Sequence, residues 1–159
     1  KATIIVDYAH TPDALENAIL AVKKMNVNGK IYTLFGCGGE RDLGKRSQMG
    51  EVAFKNSDFT IITDDNPRTE DPSLIRKTII NNNPLAIEIP GRDKAIKKAI
   101  NFLKNEDVLI IAGKGHEQNQ TIGTETLPFD DVSVVKNTLD SLNQWVLVLK
   151  MKYCGQEMN

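Results

Sequence analysis

The fold is decided by residues 59–72, which read FTIITDDNPRTEDP. The apolar run Phe59–Ile62 predicts a short buried strand, and Asp71-Pro72 predicts the start of a helix. Between them lie two carboxylates, an amide and a guanidinium. Ligands of open α/β sheets bind at this end of the strands, so these groups predict a site for the zwitterionic end of an amino acid. The alternative interpretation is an Asx turn with a solvated Arg68.

The same alternation of strand and helix recurs along most of the chain. Strands are predicted at residues 3–6, 31–35, 59–62, 85–89 and 107–112, with a weaker one within 120–127. Helices are predicted to begin at Thr11-Pro12, about Lys45, Asp71-Pro72, Pro90-Gly91 and Asp130-Asp131. Such alternation indicates βαβ units with right-handed crossovers. The expected fold class is therefore α/β, an open, doubly wound, mostly parallel sheet of about six strands with helices on both faces.

Composition narrows the class of protein. The 159 residues are 40% hydrophobic and 26% charged, as in an ordinary globular domain, and the formal net charge of −1 gives no electrostatic footprint for nucleic acid. No apolar run is long enough to span a membrane, and no signal peptide is visible, so we expect a cytoplasmic protein. Cys37 and Cys154 form no metal or disulfide pattern. The chain opens at Lys1 inside a strand, which suggests a piece of a longer polypeptide or a removed start Met.

Two polar loops follow the predicted strands near the start and the end of the chain. In the first, Asp7, Tyr8 and His10 could hold a ribose and a base, although a capped turn with a partly buried Tyr is the alternative. In the second, Gly113–Glu117, the glycines would let the backbone approach a ligand closely and the charged side chains could take part in acid–base chemistry. A polar loop after a buried strand is the alternative there. The His and Glu of this second loop lack the spacing of a metal site.

A third loop is a near match to a phosphate-binding loop. Gly39, four further residues and Gly44-Lys45 fit the pattern between a strand and a helix. The next residue should be Ser or Thr to bind magnesium, but it is Arg46, and Ser47 comes one place late. Either the loop simply closes a strand–helix turn, or its Arg41 reaches a ligand carboxylate.

Four motifs, taken in order, resemble the C-terminal domain of the Mur ligases. They are residues 6–15, 35–46, 64–68 and 112–117, and the resemblance runs from about Ile4 to about Leu139. It implies a Mur ligase C-terminal, amino-acid-binding domain over residues 1–142 and a tail of unknown role over residues 143–159. The N-terminal UDP-binding domain and the central ATPase domain of the family would lie outside this chain.

The resemblance also implies an activity. The family uses ATP to activate the carboxylate of a UDP-muramoyl peptide as an acyl phosphate, which the amine of an incoming amino acid then attacks. The implied substrates are meso-diaminopimelate, ATP and UDP-MurNAc-L-Ala-D-Glu, in peptidoglycan synthesis. ATP and Mg²⁺ would be held mainly by the absent central domain, so this domain alone is expected to be inactive. Its implied partners are those small molecules and the remaining domains, with no nucleic acid and no membrane.

Residue roles carried over from the family divide the loops into two parts. The implied meso-diaminopimelate site comprises Arg41, Asp65, Asn66, Pro67, Arg68, Thr69, Gly113 and Glu117. The implied contacts to the ATP nucleoside are Asp7, Tyr8 and His10, and no catalytic residue or metal ligand is assigned. In the family, an Arg at the position of Arg68 accompanies diaminopimelate rather than lysine. A guanidinium can pair with the second carboxylate that lysine lacks.

Two other hypotheses stay open on sequence alone. The chain could be a stand-alone nucleotide-binding α/β module that uses the loop Gly39–Ser47. It could also be a non-catalytic interaction domain with a decayed site.

Overall fold

The computed structural model describes residues 1–25, 27–81, 83–142 and 147–150. In chain order the elements are β1 (Thr3–Val6), α1 (Pro12–Lys24), β2 (Ile31–Phe35), α2 (Gly44–Asn56), β3 (Phe59–Ile62), α3 (Pro72–Ile80), β4 (Ile87–Glu88), α4 (Arg92–Phe102), β5 (Val108–Ile111), β6 (Asn119–Ile122), β7 (Glu125–Pro128), α5 (Asp131–Leu142) and β8 (Leu147–Lys150). Strand and helix alternate through the first nine of these elements, as the sequence predicts.

The main sheet has six strands in the order β4-β3-β2-β5-β1-β8, and every neighbouring pair is parallel. The strand order reverses between β1 and β2, which both pair with the central strand β5. The carboxyl ends of β1, β2, β3 and β5 therefore meet at one edge of the sheet. This architecture confirms the predicted α/β fold class.

Helices cover both faces of the sheet, and alternate strand residues point to opposite sides. On one face α1, α2 and α3 pack on side chains such as Ile5 and Ile110. On the other face α4 and α5 pack on the neighbouring residues Ile4 and Leu109. All of β5 is buried, as expected for a central parallel strand whose two faces are both covered.

Helix starts follow the local signals in the sequence. The Thr11 hydroxyl accepts a hydrogen bond from the Ala14 amide, with Pro12 at the first helical position. Asp71 caps α3 in the same way, accepting from the Ser73 amide at 2.8 Å. Both predicted caps are confirmed.

The prediction for residues 120–127 is wrong in one respect. Instead of one more strand of the main sheet, this segment lies in an antiparallel hairpin, β6–β7, that forms a separate two-stranded sheet. A turn at Gly123, with φ +61°, lets the chain reverse. The sixth strand of the main sheet is β8, which lies in the segment predicted as a tail and pairs with β1.

A buried ion pair joins the two helices on one face. Arg92, the first residue of α4, donates to both carboxylate oxygens of Asp131 at 2.7 Å, and neither side chain is exposed to solvent. The same guanidinium donates to the carbonyl of Ala112 at 2.9 Å. These bonds connect α4, α5 and the end of β5.

Across the described residues, no helix is both long and apolar enough to cross a membrane.

Candidate ligand-binding cleft

A cleft of about 460 Å³ opens at the edge of the sheet where β1, β2, β3 and β5 end. Its lining combines carboxylates, guanidinium groups, an amide and two aromatic rings. The lining residues are Tyr8, His10, Thr11, Gly38, Arg41, Asp42, Lys45, Asp65, Asn66, Arg68, Gly113 and Glu117. The loops that the sequence singled out as separate candidates thus come together in one place.

Most of the predicted site residues are in this lining. They are Arg41, Asp65, Asn66, Arg68, Gly113 and Glu117 from the predicted amino-acid site, with Tyr8 and His10 from the predicted nucleoside site. Asp7, Pro67 and Thr69 are not among the lining residues. Asp7 is 3% exposed, and burial raises the pKa of its carboxyl against the opposing effect of the Tyr8 and Ala9 amides. The Thr69 hydroxyl donates to Glu40.

Lys114 lies beneath the cleft and joins three of its acceptors. Its side chain is fully buried, and its ammonium donates to Asp65 Oδ1 at 3.2 Å, Asn66 Oδ1 at 3.0 Å and Glu117 Oε2 at 3.2 Å. These bonds use all the N–H groups of an ammonium. Sequence reasoning noted the charge of Lys114 but did not assign it to the site. Its position inside the Gly113–Glu117 motif was the available signal.

The β6–β7 hairpin holds the loop after β3. Gln120 Nε2 donates to the Asp65 carbonyl at 2.6 Å, and the Thr121 amide donates to Asn66 Oδ1 at 3.0 Å. Arg68 has φ +52° and is held there by hydrogen bonds to Thr121 and Gly123. This hairpin, where the sequence predicted only one weak strand, therefore shapes the predicted binding loop.

Arg68 reaches from that loop to the glycine-rich loop. Its Nη1 donates to the Gly39 carbonyl at 2.7 Å, and the Gly39 amide donates to the Asn66 carbonyl at 2.8 Å. A Cβ on Gly39 would lie 1.9 Å from the Pro67 carbonyl oxygen, so this close approach requires glycine. A guanidinium has further N–H groups for a ligand after one bond to a backbone carbonyl.

Asp64 does not belong to the cleft, contrary to its grouping with Asp65 in the sequence. Its carboxylate pairs with Arg76 and accepts a hydrogen bond from the Gly91 amide at 2.8 Å. Arg76 also pairs with Glu88 at 2.8 Å. Asp64 therefore links α3 to the start of α4 and is not among the residues that line the cleft.

Two side chains of the loop that nearly matches a phosphate-binding loop, Lys45 and Arg46, form hydrogen bonds within the protein. Arg46, where a hydroxyl would bind magnesium, is 2% exposed and forms a two-pronged pair with Glu70 at 3.0 Å. The Lys45 ammonium donates to the His10 carbonyl at 3.0 Å. In the described part of the chain, no group of three or more His, Cys, Asp or Glu residues could hold a metal ion.

Three rings lie together beside the cleft, and two of them, Tyr8 and His10, are in its lining. The Tyr8 ring centroid is 4.6 Å from that of His10 and 4.9 Å from that of His116. Gly115 sits against the Tyr8 backbone and has φ +54°. Flat rings at this separation offer a surface on which a planar group could stack.

We expect Gly115→Ala to destabilise the protein more than Gly123→Ala does. Both glycines have positive φ, so alanine costs about 1–2 kcal/mol at either position. A Cβ on Gly115 would also lie 2.6 Å from Tyr8 Cβ, whereas nothing lies within 4 Å of one on Gly123. The overpacking adds roughly 1–3 kcal/mol. Urea unfolding of both variants measures the difference, and equal losses would contradict the close contact.

Known proteins resemble this chain in sequence and in structure. Residues 1–115 match the family described as Mur ligase, glutamate ligase domain. The chain is 54% identical to the UDP-N-acetylmuramoyl-L-alanyl-D-glutamate–2,6-diaminopimelate ligase of Rickettsia rickettsii over 142 residues, 87% of this chain and 30% of that protein. It is 52% identical over 138 residues to the protein of the same name from Mesorhizobium japonicum, covering 87% of this chain and 28% of that one. A solved structure of a ligase with that name superposes with a TM-score of 0.85 at 38% identity, covering 91% of this chain and 30% of the other.

Fold and cleft together define an open α/β domain with a polar cleft at the carboxyl edge of its sheet, where ligands of such folds bind. The chain belongs to the Mur ligase, glutamate ligase domain family. It spans about 30% of the length of the curated relatives that it matches.

Proposed function

We propose that this chain is the C-terminal, amino-acid-binding domain of an ATP-dependent ligase that adds meso-diaminopimelate to UDP-MurNAc-L-Ala-D-Glu in peptidoglycan synthesis. One observation carries the proposal. The cleft sets the donors Arg68 and Asn66 beside the acceptor Glu117, and Asn66 Nδ2 lies 3.2 Å from Glu117 Oε2. Relatives more than 50% identical to this chain carry diaminopimelate in their names.

Chemistry at this end of the cleft fits the distal end of a diamino diacid. A guanidinium and an amide N–H group can bind a carboxylate, and Glu117 can accept from an ammonium about one hydrogen-bond length away. Asp65 and Glu117 share the ammonium of Lys114, and Glu117 is the more exposed of the two acids. A ligand ammonium would therefore pair with Glu117, and Arg41 on the facing loop would help to hold the carboxylate.

The other end of the cleft is proposed to contact the nucleoside of ATP. Tyr8 and His10 line it and offer ring faces for stacking, while Asp7 supports the loop from below. ATP would supply the phosphoryl group that activates the peptide carboxylate. Mg²⁺ and most of the triphosphate contacts are assigned to the central domain, and we propose a cytoplasmic location because the ligase consumes ATP.

The proposed domain organisation follows from the same assignment. Residues 1–142 would form the amino-acid-binding domain, followed by residues 143–159, whose strand β8 pairs with β1 and so completes the sheet of that domain. The UDP-binding and ATPase domains would belong to the rest of the protein. The rival nucleotide-binding loop Gly39–Ser47 is less well supported, since Arg46 stands where a magnesium-binding hydroxyl is needed and pairs with Glu70, although Lys45 of that loop lines the cleft.

The test is the amino-acid dependence of ATP hydrolysis by the full-length protein that carries this domain. With ATP, Mg²⁺ and UDP-MurNAc-L-Ala-D-Glu, we expect ADP release to require meso-diaminopimelate. The value of kcat/KM for lysine should be lower on the order of a hundredfold or more, because lysine leaves the Arg68 guanidinium without its carboxylate. Equal use of the two amino acids would overturn the proposal.

A further inference from the structure

Lys114 is the buried cation on which the acceptors of the cleft converge. Asp65 and Asn66 come from the loop after β3, whereas Lys114 and Glu117 come from the loop after β5. The ammonium of Lys114 lies 3.0–3.2 Å from an oxygen of each of the other three side chains. Lys114 is fully buried and is not among the lining residues, so it contacts the side chains that line the cleft rather than the cleft itself.

The first consequence concerns charge. The side chains of Asp65 and Glu117 are only 12% and 34% exposed, and both pair with the same ammonium. Without Lys114, the partly shielded carboxylates of Asp65 and Glu117 would lose the cation that they share, which is unfavourable for both. Lys114 thus allows two acids to stand side by side at the edge of the cleft.

The second consequence concerns the orientation of the Asn66 amide. Asn66 Oδ1 accepts from Lys114 Nζ at 3.0 Å and from the Thr121 amide at 3.0 Å. With the oxygen turned inward, Nδ2 points to Glu117 Oε2 and presents N–H groups on that side. If the amide were reversed, an oxygen would face an incoming carboxylate and repel it.

We propose that Lys114 is a positioning residue that sets the order of donors and acceptors in the cleft, and thereby its selectivity for a diamino diacid. This inference rests on the proposed function. Lys114 fixes Asn66 as a donor and keeps Glu117 and Asp65 as acceptors, and it does so through a charge that a neutral residue of similar size cannot replace. No contact between Lys114 and the substrate is required.

The experiment compares Lys114→Met and Lys114→Gln with the parent in the full-length protein that carries this domain. We expect Lys114→Met to raise KM for meso-diaminopimelate by about 30-fold or more. KM for ATP should change by less than about threefold. Lys114→Gln, which keeps a neutral donor, should be intermediate. The preference for meso-diaminopimelate over lysine should be highest in the parent, lower in Lys114→Gln and lowest in Lys114→Met. A purely structural role of Lys114 would not change this preference.

Asp107→Asn is the matched control for loss of a buried charge. Asp107 is 3% exposed at the opposite end of the sheet and accepts from the Lys30 amide at 2.7 Å and the Lys104 amide at 2.8 Å. This control should lower the urea midpoint without changing KM for the amino acid. If Lys114→Met does not unfold cooperatively in urea, and so is not properly folded, the KM values of Lys114→Gln alone test the inference.

Two results would overturn the inference. One is a KM for the amino acid within twofold of the parent in a folded Lys114 variant. The other is an equal rise in KM for all substrates together with an unchanged preference between the amino acids. A parent protein that does not use meso-diaminopimelate would refute the proposed function instead, and Lys114 would then be judged with the amino acid that the parent does use.

Discussion

Arg68→Ala in the full-length protein is expected to raise KM for meso-diaminopimelate by roughly two to three orders of magnitude. Truncating one partner of a hydrogen-bonded charge pair costs about 2–5 kcal/mol when the pair is shielded from water. Arg68 lines the cleft and is only partly exposed, so the proposed pair with the ligand carboxylate is partly shielded. Steady-state kinetics with the three substrates varied in turn measures the effect, and KM for ATP should stay near the parent value.

The control must separate the guanidinium from the unusual backbone at this position. Glu106 also has a positive φ, +71°, and is exposed at the opposite end of the sheet. Glu106→Ala therefore also places alanine at a position of positive φ, but outside the cleft. We expect it to leave the KM of every substrate unchanged. An Arg68→Ala enzyme with parental affinity for meso-diaminopimelate would refute the proposed role of Arg68.

Asp131→Ala is expected to lower the free energy of unfolding by about 3–5 kcal/mol, the usual cost of leaving a buried charge without its partner. Arg92 is fully buried and would lose both of its 2.7 Å bonds to Asp131. Urea denaturation of the 159-residue chain measures the loss.

Two further variants test the cause of that loss. The exposed pair of Asp93 and Lys97 lies on the same helix, with about half of each side chain in solvent, so Asp93→Ala should cost less than about 1 kcal/mol. The double variant Arg92→Met with Asp131→Leu should recover much of that loss, because apolar residues of similar size often replace a buried pair, although the Ala112 carbonyl then loses its Arg92 donor. A loss in Asp131→Ala no larger than in Asp93→Ala would contradict the burial of the pair.

Local signals in the sequence were sufficient for most of the fold. Thr11-Pro12 and Asp71-Pro72 satisfy the first amides of their helices within a few residues, so their effect can be read without tertiary contacts. The β6–β7 hairpin was missed although Gly123 marks its turn, because a run broken by one glycine also fits a single irregular strand. Strand β8 was missed because its partner β1 is more than 140 residues away along the chain.

The position of the cleft was predictable from the sequence, but the hydrogen bonds and ion pairs within it were predictable only in part. Parallel strands bring their carboxyl ends together, so loops that are far apart in sequence were expected to meet. Which charges remain at the surface depends on distant partners. Asp64 is bound by Arg76, while Asp65 is bound by Lys114, although the two acids are adjacent. No periodicity in the sequence distinguishes these two neighbours.

The pairing of β8 with β1 bears on how the protein can be shortened. β1 lies between β5 and β8, so both of its edges carry backbone hydrogen bonds. In a chain that ends before Leu147, one edge of β1 would be exposed, with its backbone amides and carbonyls unpaired. The side chains of this strand include isoleucines and a valine, which favour strand pairing. Such an exposed edge is a template for self-association, and a truncated domain would tend to aggregate for this reason alone.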